Sequence, residues 1–247
     1  METIPKVIHQ TVGDKSSLHP ELVRNIEAIQ SLNPDYLYRL YDNADVERFI
    51  KSQYSTNVLR YFHQINPVYG PARADFFRYL LMYREGGIYL DVKSTLTVPL
   101  SQAITSPDYL LSHWRNGHGE RYFGWGVHPE FDVMNEFQQW HIVAPPNHPF
   151  LKAVIGEVMW NIDNYAPDVH GVGKIGVLRV TGPIAYTQAI APLRSSYRHQ
   201  VVDIEQLGFR YSIAETTQAS LAHESLFQDH YHHIRPLPVV LSSHVPW

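Results

Sequence analysis

The chain predicts an α/β fold. Runs of strand character alternate with segments of helical periodicity from the first residues onward, and proline or glycine punctuates the junctions between them. No internal repeat, low-complexity tract or long linker divides the 247 residues, so 1–247 is expected to form a single domain.

The elements follow in order. Ile4-Pro5-Lys6-Val7-Ile8-His9-Gln10 has the pattern of a short buried strand, and a Gly13–Ser17 loop follows it. Pro20 opens a helix on which Leu22, Ile26 and Ile29 recur, and Asn33-Pro34 ends it. Residues 36–41 are β-rich, and Asp42 or Asn43 caps a helix carrying Val46, Phe49 and Ile50. Pro71 opens the clearest helix of the first half, with Phe76, Tyr79, Leu80 and Tyr83 on one face. Gly86-Gly87 closes it as a glycine cap, and a strand over 88–92 begins at once. Pro149 starts a helix striped by Leu151, Val154, Ile155, Val158 and Ile162, and Thr181-Gly182-Pro183 introduces another over 185–190. Further strands are expected at 109–113, 140–144, 201–204 and 239–241.

Composition narrows the function classes. With 44% hydrophobic and 18% charged residues the chain is a folded globule, long enough to bury roughly 70–75% of its unfolded surface. A net charge of −4 gives no support to nucleic-acid binding. The absence of cysteine excludes disulfides, zinc–thiolate sites and a thiol nucleophile. The amino terminus lacks signal-peptide character, and no apolar run approaches the ~20 residues of a membrane span. The expectation is a cytoplasmic protein without an integral membrane segment, its attachment to any membrane limited to a peripheral one.

Open α/β sheets bind ligands beyond the carboxyl ends of their strands, and Asp91 lies at such an end. A carboxylate there holds a divalent ion, accepts ribose hydroxyls or caps a turn, and Lys93 two residues on offsets pyrophosphate charge. Arg73, Asp75 and Arg78 stand among apolar residues in the preceding helix. The three-residue spacing puts Asp75 and Arg78 side by side on one face, as a site pair or as an exposed ion pair.

Pro71-Ala72-Arg73-Ala74-Asp75-Phe76-Phe77-Arg78-Tyr79 through Glu85-Gly86-Gly87-Ile88-Tyr89-Leu90-Asp91 resembles glycosyltransferase family 32. This sugar-binding-region family includes fungal initiating mannosyltransferases and is related to the clostridial glucosylating toxins. The opening strand and Asn33-Pro34 with Tyr38, Leu40, Tyr41 and Asp42 extend the resemblance over roughly the first hundred residues. Asn147-His148-Pro149-Phe150, Thr181-Gly182-Pro183 and the closing Trp247 are similar to later family features, whereas 101–137 matches no pattern.

The resemblance implies a nucleotide-diphospho-sugar transferase fold of the GT-A type, with a central mixed sheet flanked by helices. It also implies retaining transfer of a hexose from a UDP- or GDP-linked donor to a glycan or other hydroxyl acceptor, as in capsule or cell-surface polysaccharide synthesis. The donor site expected from the resemblance comprises His9, Gln10, Arg73, Asp75, Arg78, Gly87, Tyr89 and Asp91, with Asp75 and Arg78 catalytic; Lys93, which the family does not supply, is expected by its charge to join both the donor site and the catalytic set.

One position departs from the family. The two-carboxylate D-x-D motif, which implies manganese or magnesium, reads Asp91-Val92-Lys93 here, and metal dependence is thereby put in question. Three alternatives follow: Lys93 does the ion's electrostatic work; a metal binds through Asp91 and His244 near the carboxyl terminus; or catalysis is lost and a sugar-nucleotide or glycan-binding module remains. A retaining glycoside hydrolase using two of Asp75, Asp91 and Asp132 is the competing enzyme class.

Other features have plainer expectations. His223 and His230-Tyr231-His232-His233 lack the spacing of a metal site and are expected to be solvated. Gly171-Val172-Gly173-Lys174-Ile175-Gly176 is expected to be a flexible surface loop near the mouth of the site. The glycine-rich stretch 116–127, with Trp114, Tyr122 and Trp125, is either an acceptor loop with stacking platforms or core packing.

Overall fold

The computed structural model describes residues 3–131, 135–213 and 237–241. Its strands are β1 (Val7–Thr11), β2 (Leu37–Tyr41), β3 (Gly87–Leu90), β4 (Thr95–Leu96), β5 (Tyr109–Leu111), β6 (His141–Ala144), β7 (His199–Val201) and β8 (Phe209–Arg210). Its helices are α1 (Pro20–Leu32), α2 (Asn43–Gln53), α3 (Thr56–Gln64), α4 (Gly70–Glu85), α5 (Leu100–Ala103), α6 (Pro149–Asp163), α7 (Pro167–His170), α8 (Gly173–Val180) and α9 (Pro183–Ile190). Six strands form a mixed sheet in the order β2-β1-β3-β6-β5-β7, and β4 pairs with β8 in a separate two-stranded ribbon.

The first three strands of this order are parallel, with Ile8 opposite Ile88 and His9 opposite Tyr89, so β1 and β3 end on the same edge. Alternation along the strands sends Ile8, Ile88 and Leu90 into the core beneath α1, and Tyr89, Ile142 and Ala144 into the larger core with α4 and α6. The chain leaves β1 toward β2 and later returns on the other side of β1 to form β3. That reversal opens a crevice at the carboxyl ends of β1 and β3.

Helix α4 is buried almost all round: Ala72 and every residue from Asp75 to Met82 lie in the interior, where one apolar face was expected. Its end is sharply defined. Gly86 (φ 62°) donates its N–H to the Met82 carbonyl, and Gly87 follows at φ 94°. A Cβ on Gly87 would sit 2.6 Å from Val7 Cγ1 and 2.7 Å from the Val7 carbonyl oxygen. Gly87 therefore lets β3 start against β1, which fixes where Asp91 emerges.

Several expectations are corrected. The strand expected at 201–204 ends at Val201, because Asp203 accepts the amide of Glu205 and the chain turns through Gly208. Residues 239–241 contribute only an isolated bridge, Val240 to Ile65. The Gly171–Gly176 stretch is not a surface loop: Gly171 (φ 81°) ends α7, Gly173 opens α8, and Gly176 packs where a Cβ would meet Val239 at 2.8 Å. Helix α3 and the β4–β8 ribbon, which the sequence pattern does not announce, complete the order. Asp132, His223, His230, His232, His233, His244 and Trp247 lie outside the described residues. Among the described residues no helix is long and apolar enough to cross a membrane.

Candidate functional site

The carboxyl end of β3 gathers most of the expected residues. Strand alternation turns Tyr89 and Asp91 toward α4, where the three-residue spacing sets Asp75 beside Arg78. The Arg78 guanidinium bridges both carboxylates: Nη2 lies 3.0 Å from Asp75 Oδ1 and Nη1 3.0 Å from Asp91 Oδ1. Nη1 also donates to the Gln139 carbonyl at 2.8 Å, and the group lies 4.7 Å from the centre of the Tyr89 ring. Burial works against this charge, but Asp91, Tyr89 and Asp75 outweigh it and hold the guanidinium above its ordinary value.

Asp75 and Arg78 are the floor, with side chains 6% and 5% exposed, whereas Asp91 at 21% and Lys93 at 14% reach the surface. Asp75 Oδ1 also accepts from Gln139 Nε2 (3.1 Å) and Oδ2 from Thr181 Oγ1 (3.2 Å), so an incoming hydroxyl must replace an existing donor. Burial raises the Asp75 carboxyl to about 6, opposed by the charge of Arg78 and the hydrogen bond from Gln139.

A raised carboxyl stabilises the fold fully below its unfolded value of 3.8 and loses that contribution as pH rises through about 6. At about 1.4 kcal/mol per pH unit, the loss is on the order of 2–3 kcal/mol. Relative to an Asp75→Asn variant, the wild type should therefore lose stability between pH 4 and pH 7 in urea unfolding, about half of it above pH 5. Parallel stability curves for the two proteins would contradict this.

The loop that carries Asp91 and Lys93 is tied down from three sides. Gln10 Nε2 donates to the Asp91 carbonyl at 3.1 Å and Tyr38 donates to Gln10 Oε1 at 2.6 Å. Asn25 on α1 donates to the carbonyls of Val92 (3.2 Å) and Ser94 (2.8 Å), and Ser94 Oγ donates to the Tyr211 carbonyl. Lys93 Nζ donates to the Tyr211 hydroxyl at 2.8 Å and stands 3.9 Å from Asp91 Oδ2. Burial opposes its charge, but Tyr211 and Asp91 raise its pKa above the ordinary lysine value, so the ammonium is retained.

Three expected residues play other parts. Arg73 turns away, its Nε and Nη2 donating to the Ile65 carbonyl, with Phe62 beneath it. His9 is buried with both ring nitrogens engaged. Because the Gly86 carbonyl can only accept, Nε2 carries the proton and Nδ1 accepts from the Tyr41 hydroxyl. Burial, then the charge of Arg39, pushes its pKa down to about 3. Gly87 spaces β1 from β3. In and beside the 116–127 stretch, Tyr122 and Trp114 are core residues packed with Tyr211, while Phe123 is 65% exposed. A cleft of about 530 Å³ lined by Lys15, Tyr38, Arg39 and Arg48 lies along the edge strand β2, and Asp91 is not among its lining residues. Its cations are already paired, Lys15 and Arg48 with Asp45 and Arg39 with Glu85.

Asn25, Gln139, Thr181 and Tyr211 were not foreseen. Asn25 carries a signal as a polar residue inside the Leu22, Ile26, Ile29 stripe, and Thr181 as the first residue of the helix-opening Thr181-Gly182-Pro183. Asp91, the expected metal ligand that lies among the described residues, is already engaged. Asp91 is clamped by Arg78 and faced by the Lys93 ammonium, and among the described residues no cluster of three His, Asp or Glu side chains exists.

Known proteins resemble this chain in sequence and in fold. Residues 20–110 match the family described as glycosyltransferase sugar-binding region containing DXD motif. A mannosyl phosphorylinositol ceramide synthase of Saccharomyces cerevisiae is 26% identical over 181 residues, covering 73% of this chain and 42% of its own. An initiation-specific alpha-1,6-mannosyltransferase of Schizosaccharomyces pombe is 26% identical over 202 residues, covering 76% and 48%. The chain thus spans less than half the length of these relatives. Among solved structures, the PaToxG glycosyltransferase superposes with a TM-score of 0.54 at 16% identity, covering 94% of this chain and 86% of its own. The UDP-bound glycosyltransferase domain of the YGT toxin gives 0.50 at 8% identity, covering 89% and 83%. The fold is GT-A-like, a central mixed sheet flanked by helices, and the sequence is related to fungal mannosyltransferases.

Proposed function

We propose that the crevice at β1 and β3 binds a nucleoside-diphosphate sugar and that the chain transfers the sugar to a hydroxyl acceptor with retention of anomeric configuration. The observation that carries this is the Arg78 guanidinium joining Asp75 to Asp91, with the Lys93 ammonium at the rim 3.9 Å from Asp91. Departure of the sugar leaves negative charge on a diphosphate, and a fixed cation beside that position stabilises the transition state more than the ground state. Lys93 supplies that charge, Asp91 accepts donor hydroxyls at the surface, and Arg78 holds Asp91 in place from below. Retention follows if the acceptor hydroxyl enters on the face the diphosphate leaves. Similarity to mannosyltransferases favours a hexose donor, UDP- or GDP-linked.

Lys93 stands where the D-x-D motif has its second carboxylate, and transfer in this account proceeds without a divalent ion at Asp91. A glycoside hydrolase built on Asp75 and Asp91 is disfavoured, because one buried arginine already holds both carboxylates. A panel of UDP- and GDP-sugars, each with EDTA or manganese, tests the donor class through ligand-induced shifts in Tm. One nucleotide series should raise Tm equally under both conditions. No shift with any donor would reject the site, and a shift without nucleoside-diphosphate release would leave a binding module.

A further inference from the structure

Tyr211 is the least expected member of the site. It is reached through a chain of backbone contacts rather than from neighbouring sequence. β8 pairs with β4, with Thr95 opposite Arg210, and the amide of Ile213 donates to the Lys93 carbonyl at 2.8 Å. The loop after β3 and the segment after β8 are therefore zipped together on both sides of Tyr211. The ring is then fixed edge-on by Trp114 (5.1 Å between ring centres), Trp125 (5.7 Å) and Trp140 (5.7 Å).

The ammonium of Lys93 is held doubly by this residue, at 2.8 Å from the hydroxyl and 4.2 Å from the ring centre. Its distance of 3.9 Å from Asp91 Oδ2 is too long for a hydrogen bond, although the two groups are two residues apart in one loop and opposite in charge. A lysine on a flexible four-carbon stem would be expected to close on such a carboxylate. The Tyr211 hydroxyl and π face offer a competing site that stops it short.

We propose that Tyr211 is a positioning residue for Lys93: it holds the ammonium off Asp91 so that its remaining N–H groups face an incoming diphosphate. This rests on the assignment of the crevice as a nucleoside-diphosphate site. Collapse of Lys93 onto Asp91 would neutralise both groups and remove the cation that the leaving group needs. Two of the three tryptophans around Tyr211, Trp114 and Trp125, bound the 114–125 region, so the position of the cation is also tied to that region's packing.

Calorimetric binding of inorganic pyrophosphate in excess EDTA tests the proposal on the intact chain. Tyr211→Phe, Lys93→Ala and the double variant are compared with wild type, and thermal unfolding confirms that Tyr211→Phe, which keeps the ring, is folded. Tyr211→Phe should weaken pyrophosphate binding about tenfold, the weight of one hydrogen bond to a charged group. The same change made on top of Lys93→Ala should weaken it no further. Equal affinity in wild type and Tyr211→Phe, or the same tenfold loss in both backgrounds, would overturn the positioning role while leaving the donor assignment intact. Absence of pyrophosphate binding by the wild type would overturn both.

Discussion

Replacing Arg78 with methionine is expected to lower unfolding stability at pH 7 by about 3–5 kcal/mol, the cost of removing one partner from a buried ionic cluster. The guanidinium is the shared counter-charge of Asp75 and Asp91, and Asp75 is 6% exposed, so its removal leaves a carboxylate with neither water nor cation. Methionine fills a similar volume, which keeps a cavity from explaining the loss. The sign with pH follows. Burial already raises the Asp75 carboxyl to about 6 with Arg78 in place, and without it the value rises further. The stranded group is then relieved by protonation as pH falls, so the deficit of the variant should shrink from pH 7 to pH 5. Adding Asp75→Asn should recover much of it. Urea unfolding at the two pH values measures this, and a loss below about 0.5 kcal/mol at pH 7, the range of ordinary surface substitutions, would show that the cluster does not hold the site together.

Replacing Lys93 with alanine is expected to have the opposite profile, a large loss of turnover with little change in stability. Fixed donors and cations at a developing negative charge contribute about 10²–10³ in kcat, and Lys93 is more exposed than Arg78, 14% against 5%. Its removal leaves Asp91 paired with Arg78, so no buried charge is stranded. Steady-state kinetics on the donor that the Tm panel selects should show kcat falling far more than KM rises. A rise in KM with kcat unchanged would place Lys93 in ground-state binding alone.

The parts of this site that were legible in the sequence are those whose geometry is local. Asp75 and Arg78 are three apart on one helix, Gly86-Gly87 ends that helix in a conformation few other residues adopt, and four strand residues later Asp91 emerges on the same face. Rules of helix and strand periodicity suffice for all of that. Gln139, Thr181 and Tyr211 reach the site across 64, 106 and 118 residues of chain, and no local pattern encodes such contacts. His9 and Arg73 show the same limit of local pattern. A polar side chain in an apolar stretch serves a ligand or satisfies a buried backbone carbonyl, and only the fold shows that His9 bonds Gly86 and Arg73 bonds Ile65. The Gly171–Gly176 stretch has the glycine spacing of a loop without the strand or lysine-serine ending of a phosphate-binding one. In the structure Gly176 gives the close approach that Val239 requires.

In the proposed reaction, management of the leaving diphosphate's charge falls to Lys93, held beside Asp91, where the D-x-D motif has a carboxylate. It is tested most directly by the rate of nucleoside-diphosphate release from the selected donor in excess EDTA, measured against the same reaction with manganese. The rate should be the same in both and should collapse in Lys93→Ala under either condition. Activity abolished by EDTA and restored by manganese would contradict the account.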